Sequence, residues 1–303
     1  MLTKLLSSRL LKMRIECFLS IIIVFALFLP FSAWCVDVLP AAYTPAPAGI
    51  NVAYLFYTHT ERNKQYVNGN QLPIDARLDS DVGQVRYARY MDVAGVRILP
   101  IISLPFGTQN GKYDSSALGN TGGLGDLILA TTIWLINNPE KNTFFGITPY
   151  LFLPTGDYDK SKSLNMGENC WKAAAQVGLN TGLTDKVRFD LIGDVTFYGD
   201  NSQFGPNGVT MKQDLSFQIQ TYARYKFTPS LESSLGFSYV LGGEREVNGV
   251  KKNDALSTSK FILGGAYNFR PSTMLVITYG RDISVENGFM ESNKILLRLT
   301  EAF

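Results

Sequence analysis

The chain has 303 residues, 46% of them hydrophobic, yet its mean hydropathy is only +0.03. Its 28 basic residues balance 26 acidic ones, which excludes the strongly basic face that nucleic acid favours, and three cysteines with one histidine leave little for a Cys/His metal centre or a disulfide framework. A polytopic helical membrane protein would need several apolar runs of about twenty residues, and this sequence offers only one.

That run, Phe18 to Trp34, follows a basic stretch with Lys4, Arg9, Lys12 and Arg14. A positive start, an apolar middle and small residues after it make residues 1–35 read as a secretory signal, with Ala33 and Cys35 at the cut. An uncleaved anchor and a lipoprotein attached through Cys35 compete with this reading, although bulky Trp34 disfavours the second. Met13 is an alternative start. Removing the segment takes away four basic residues against Glu16 alone, so the exported chain is close to neutral. Cys170 then remains as its cysteine, so the chain must be stable without an internal disulfide. Residues 36–49 carry Pro40, Pro45 and Pro47 and read as an extended leader.

From residue 50 onward the apolar period is two. Trp171, Ala173, Ala175, Val177 and Leu179 share one face, and Lys172, Ala174, Gln176, Gly178 and Asn180 the other. Leu215, Phe217, Ile219, Ala223, Tyr225 and Phe227 likewise oppose Asp214, Ser216, Gln218, Gln220, Arg224 and Lys226. Such alternation marks strands with one apolar and one polar surface. About twelve segments qualify: 50–58, 81–92, 94–104, 124–136, 143–154, 170–182, 187–198, 213–227, 231–242, 257–269, 273–283 and 292–303. The first two and the one through Trp134 are ambiguous in face.

Short turns alternate with long Gly-rich polar connections at 59–80, 105–123, 155–169, 199–212, 243–256 and 284–291. All short turns at one rim and all long loops at the other is the plan of an up-and-down antiparallel transmembrane β-barrel of the outer-membrane type. A sheet in lipid must close on itself, because an open edge leaves backbone groups unpaired. A secreted soluble β-sandwich or closed β-barrel is the rival, but long up-and-down strands offer no obvious Greek-key crossover. Trp171 at one rim and Tyr225, Phe227, Phe269 and Phe303 at the other suit interfacial girdles. The last strand, with Ile295, Leu297, Leu299 and Phe303 on one face, resembles the terminal strand by which outer-membrane barrels are recognised by the barrel-assembly machinery; Phe303 is the candidate assembly signal. Glu301 departs from that pattern.

Several phrases resemble the transporter-like family of the meta-pathway of phenol degradation. They are Pro-Ala-Gly-Ile-Asn at 47–51, Leu-Pro-Phe-Gly at 104–107, Gly-Leu-Gly-Asp-Leu at 123–127, Leu-Pro-Thr-Gly-Asp-Tyr-Asp at 153–159, Asn-Met-Gly-Glu-Asn at 165–169 and Gln-Val-Gly-Leu-Asn-Thr-Gly-Leu-Thr-Asp at 176–185. The resemblance implies an outer-membrane barrel of Gram-negative bacteria that moves hydrophobic or aromatic compounds. It implies no catalytic set.

The residues themselves offer little for catalysis. A Ser-His-acid site would need His59 as its base, and that residue opens the first long connection. Asp190 and Asp194 share a face but stand about 13 Å apart along a strand, too far for a glycosidase pair. Asp157, Asp159 and Glu168 do not follow the spacing of a twelve-residue calcium loop. Gly122 to Gly125 precedes a strand, so it is no phosphate-binding fingerprint. No cofactor is expected.

The lumen remains. Its candidate lining is Asp126, Lys172, Gln176, Asn180, Arg188, Asp190, Asp194, Gln218, Gln220, Arg224, Glu232, Lys260, Arg270 and Arg298. Both signs of charge occur, whereas a strongly selective ion pore lines itself with one. A barrel of about twelve strands lies between side-chain-filled small barrels and wide porins, so a restricted or plugged passage is expected. The sequence therefore reads as an outer-membrane barrel for passive uptake of small hydrophobic or aromatic solutes, with membrane lipids around it. A non-conducting barrel that works through its external loops, and a barrel hydrolase using His59, are the alternatives.

Overall fold

Twelve antiparallel strands close into a barrel, and no helix among the described residues is long and apolar enough to cross a membrane. The computed structural model describes residues 36–303; the expected export signal at 1–35 lies outside them. The barrel strands are β1 (Asn51–Val67), β2 (Ala76–Arg89), β3 (Val96–Tyr113), β4 (Leu127–Asn138), β5 (Thr143–Leu153) and β6 (Lys172–Gly182). They continue as β7 (Val187–Tyr198), β8 (Ser216–Lys226), β9 (Leu231–Gly242), β10 (Leu256–Asn268), β11 (Thr273–Val285) and β12 (Gly288–Ala302). Each pairs with its neighbours in sequence, and β1 closes on β12 with Val52 opposite Ala302 and His59 opposite Ile295. No free edge is left in the wall.

The faces follow the alternation. Val177, Phe217, Ile219, Leu263 and Ile277 are exposed on the outer surface, while Gln176, Gln218, Gln220 and Thr278 are buried inside. Tyr225 and Phe227 pack edge to face at 4.9 Å, as do Tyr267 and Phe269, near the short-turn rim. This is where amphipathic rings meet the headgroups. Trp134, ambiguous from sequence, points inward and is 3% exposed. Glu301, which breaks the apolar face of β12, accepts hydrogen bonds from Ser272 Oγ at 3.0 Å and Thr273 Oγ1 at 2.7 Å.

The long connections are shorter than expected, because the strands run on past the lipid-facing belt. β1 reaches Val67 and β3 reaches Tyr113, taking in residues expected to be loop. The reason is physical. From Thr58 to Gln65 both faces are polar, so the backbone stays extended while the alternation that reveals a strand vanishes. Part of the connection at 199–212 is also ordered, with strands Asn201–Phe204 and Val209–Gln213 pairing onward to Arg245–Val247.

Candidate functional site: the occupied lumen

The leader at 36–49 lies inside the barrel. Tyr43 is 2% exposed and packs with Ile192 and Tyr222, backed by Val38 and Ala42. Its hydroxyl bonds with Thr148 Oγ1 at 3.0 Å and donates to Gln176 Oε1 at 3.2 Å, while its carbonyl accepts from Trp134 Nε1 at 2.8 Å. Glycine makes the slot. A Cβ on Gly178 would lie 2.1 Å from the Tyr43 ring, and one on Gly146 3.2 Å from it.

The rest of the segment is held by polar residues of β6 to β8 and by Lys294 of β12. Ala41 N–H donates to Asp190 Oδ2 at 2.9 Å, and Thr44 Oγ1 donates to Asn180 Oδ1 at 3.0 Å. Tyr222 O–H donates to the Val38 carbonyl at 2.8 Å. Val38 N–H reaches Gln220 Oε1 at 3.2 Å, and the Val36 carbonyl accepts from both Gln176 Nε2 and Gln220 Nε2 at 3.1 Å. Asp37 takes Gln218 Nε2 at 2.7 Å and Lys294 Nζ at 2.8 Å. Buried backbone groups of an irregular segment need such partners. Here the barrel wall supplies them in place of a second strand.

The expected lining residues divide by position. Gln176, Asn180, Asp190, Gln218 and Gln220 contact the segment directly, and Asp194 accepts from Gln176 at 3.3 Å. Arg224 pairs with Asp190 at 2.9 Å and with Glu232 at 2.9 Å, beneath the segment. Lys260 joins Glu291 at 2.5 Å farther toward the long-loop end. Lys172 pairs with Glu168 at 2.5 Å. Arg188 braces the short-turn rim by donating to Asn142 Oδ1 at 2.8 Å. Arg298 faces inward from β12, where its guanidinium stands 5.8 Å from the Tyr54 ring centre.

Two positions depart from the expectation. Arg270 sits exposed in the turn between β10 and β11, because β10 stops at Asn268 and the turn faces solvent. Asp126 precedes β4 and serves as an anchor: its carboxylate accepts from Gly156 N–H and Glu168 N–H, both at 2.9 Å.

That anchor belongs to a knot at the long-loop end. Asp157 Oδ2 accepts from Leu124 N–H at 2.8 Å, Asp157 N–H donates to the Leu124 carbonyl, and Gly167 N–H donates to the Asp157 carbonyl. Gly156 and Gly167 approach so closely that a Cβ on either would stand under 3 Å from the other's backbone. The knot directs the connection between β5 and β6 back over the barrel, where Leu164 is 1% exposed among Ala76, Leu78, Leu118 and Phe289. Asp159 closes its own turn by accepting from Ser161 N–H and Oγ. Burial, then nearby Glu168, pushes the Cys170 thiol up to about 12.

His59 lies on the outer face of β1, with Nδ1 2.7 Å from Asp81 Oδ1 and Nε2 4.0 Å from Glu61. Tyr57 O–H donates to the same Asp81 oxygen at 2.6 Å. This pair faces away from the lumen.

The sequence matches the family described as "Putative MetA-pathway of phenol degradation" over residues 62–299. The crystal structure of the COG4313 outer membrane channel from Pseudomonas putida F1 is similar at 33% identity and a TM-score of 0.86, covering 88% of this chain and 100% of that one. The beta domain of the Bordetella autotransporter BrkA is similar at 11% identity and a TM-score of 0.48, covering 85% of this chain and 100% of that one. The TodX deltaS2S3 mutant monoaromatic hydrocarbon channel reaches 9% identity and a TM-score of 0.48, covering 87% and 91%. No curated protein matches the sequence.

Proposed function

The chain belongs to this phenol-degradation family of outer-membrane barrels, and from that premise we propose that it mediates passive uptake of small hydrophobic or aromatic compounds through a lumen restricted by its own N-terminal segment. The observation that carries the reading is what fills the barrel. A small barrel closes its interior with its own side chains; this one accommodates a length of backbone and a tyrosine ring seated on two glycines. A lumen that holds a peptide and a phenol side chain has room for a small aromatic solute once that segment shifts. Nothing in such passage needs a cofactor or an energy source.

Residues 1–35 are, on this reading, the export signal. Cleavage after Cys35 would leave Val36 as the first residue, already inside the lumen through its carbonyl contacts to Gln176 and Gln220. Phe303, 67% exposed at the short-turn rim, is the proposed contact for the assembly machinery. The test is uptake of an aromatic solute by liposomes carrying the purified protein. Uptake above that of empty liposomes is expected. Uptake equal to the empty control, with neither solute nor ion passing, would favour a structural barrel acting through its external loops.

A further inference from the structure

Arg86 on β2 and Arg298 on β12 flank β1 on the inner wall, where Tyr54 stands opposite Arg86 and Phe56 opposite Arg298 in the ladder. The Arg86 guanidinium is 4.9 Å from the Phe56 ring centre and 5.9 Å from that of Tyr54, over which Arg298 also lies, at 5.8 Å. The two rings stack with centres 6.0 Å apart and planes 25° apart.

These arginines differ from four other inward cations, each of which has a carboxylate partner. Arg62 pairs with Glu291 at 3.0 Å, Arg224 with Asp190 at 2.9 Å, Lys260 with Glu291 at 2.5 Å and Lys294 with Asp37 at 2.8 Å. Arg86 and Arg298 have no acidic partner among the described residues. Arg86 donates only to Ser103 Oγ, at 2.8 Å, and the buried Arg298 Nε has no hydrogen-bond partner at all. Two unpaired guanidiniums in a confined lumen are costly unless an anion neutralises them. Both are partly exposed, so a solute in the lumen can reach them.

We infer that Arg86, Arg298, Tyr54 and Phe56 form a binding site for a small aromatic carboxylate. The planar guanidinium fork donates two parallel hydrogen bonds to a carboxylate, and the ring of such a solute stacks against tyrosine and phenylalanine. A chloride or acetate ion would satisfy the charge but leave the aromatic wall unused. A neutral arene would use the wall and leave the arginines bare. The site rests on the uptake reading for its role, and gives that reading a substrate class; binding itself is a separate property.

The test uses the purified full-length barrel in detergent, titrated calorimetrically with benzoate, acetate and benzyl alcohol. Benzoate should bind at least about tenfold more tightly than either of the others, and Arg298→Gln should weaken benzoate by about tenfold, with Arg298→Lys recovering only part of the loss. Folding of each variant is checked by heat-modifiable migration; if Arg298→Gln does not fold, Arg86→Gln on the other flank carries the same expectation. Equal affinity for benzoate and acetate, equal affinity for benzoate and benzyl alcohol, or unchanged binding in the glutamine variant would each overturn the assignment. Absence of benzoate binding to the unaltered barrel, with aromatic uptake intact, refutes the site and spares the uptake reading. Benzoate binding without any uptake does the reverse.

Discussion

The two sides of the lumen solve the problem of interior polarity in opposite ways. On the wall made by β5 to β9, Thr148, Gln176, Asn180, Asp190, Gln220 and Tyr222 spend their hydrogen bonds on the N-terminal segment, and Arg224 lies between two carboxylates. On the wall made by β12, β1 and β2, Arg86 and Arg298 face aromatic rings with no carboxylate beside them. A satisfied polar network rigidifies what it holds, whereas an unsatisfied charge invites a ligand. The first wall therefore serves as an anchor for the segment, and the second is the proposed contact surface for solute.

The largest effect should come from filling the tyrosine slot. Gly178→Leu places side-chain atoms where the Tyr43 ring now sits, because even a Cβ would lie 2.1 Å from it. A cysteine placed at Ala42 in that background should react with a membrane-impermeant thiol reagent about a hundredfold faster than in the glycine parent, following the free energy of local opening. Cys170, buried with its thiol pushed up to about 12, should stay silent in both. Next comes a paired substitution that separates the walls. Asp190→Ala leaves the Ala41 N–H without its acceptor and strips Arg224 of one carboxylate, so it should cost about 2 kcal/mol in urea unfolding of the detergent-held barrel. Arg86→Gln abandons no acidic partner and should change the same unfolding free energy by less than about 0.5 kcal/mol. Equal losses would erase the distinction between anchoring wall and solute wall.

Asp157→Ala should act on neither wall but on access to both. It removes the acceptor of Leu124 N–H and frees the connection that seats Leu164, so added protease should cut within 155–169 several-fold faster while benzoate binding stays unchanged. Phe303→Ala should have the smallest effect on the finished barrel, since that ring is exposed at the rim. Its expected signature is a lower yield of heat-modifiable barrel in the membrane, with an unaltered unfolding midpoint for the fraction that folds.

The barrel was legible in the sequence because lipid and lumen impose opposite polarity on alternate residues, as in Lys172 to Gly182. The signal failed above the lipid belt, where Thr58 to Gln65 are polar on both faces and the strand hides as loop. The lining residues on β6 to β8 were legible for the same reason as the strands. What they bind was not: a proline-rich segment carries no period, and nothing local says that its partners lie more than a hundred residues away. The phrase at 176–185 held the one clue, since Gln176, Gly178 and Asn180 all touch Tyr43 or its neighbours. Likewise the phrases at 123–127, 153–159 and 165–169, on either side of β4 and β5, meet in the Asp126 and Asp157 knot. The arginine pair escaped notice because only Arg298 was placed in the lining, and an absent counter-charge is visible only in three dimensions.

The central claim is that residues 36–49 restrict the lumen they occupy, and single-channel conductance tests it most directly. Planar bilayers would compare the intact barrel with one lacking residues 38–46, both verified as folded by heat-modifiable migration. The shortened chain should conduct several-fold more current per channel than the intact protein. Identical conductance in the two would show that the segment does not govern the passage, and would contradict the account.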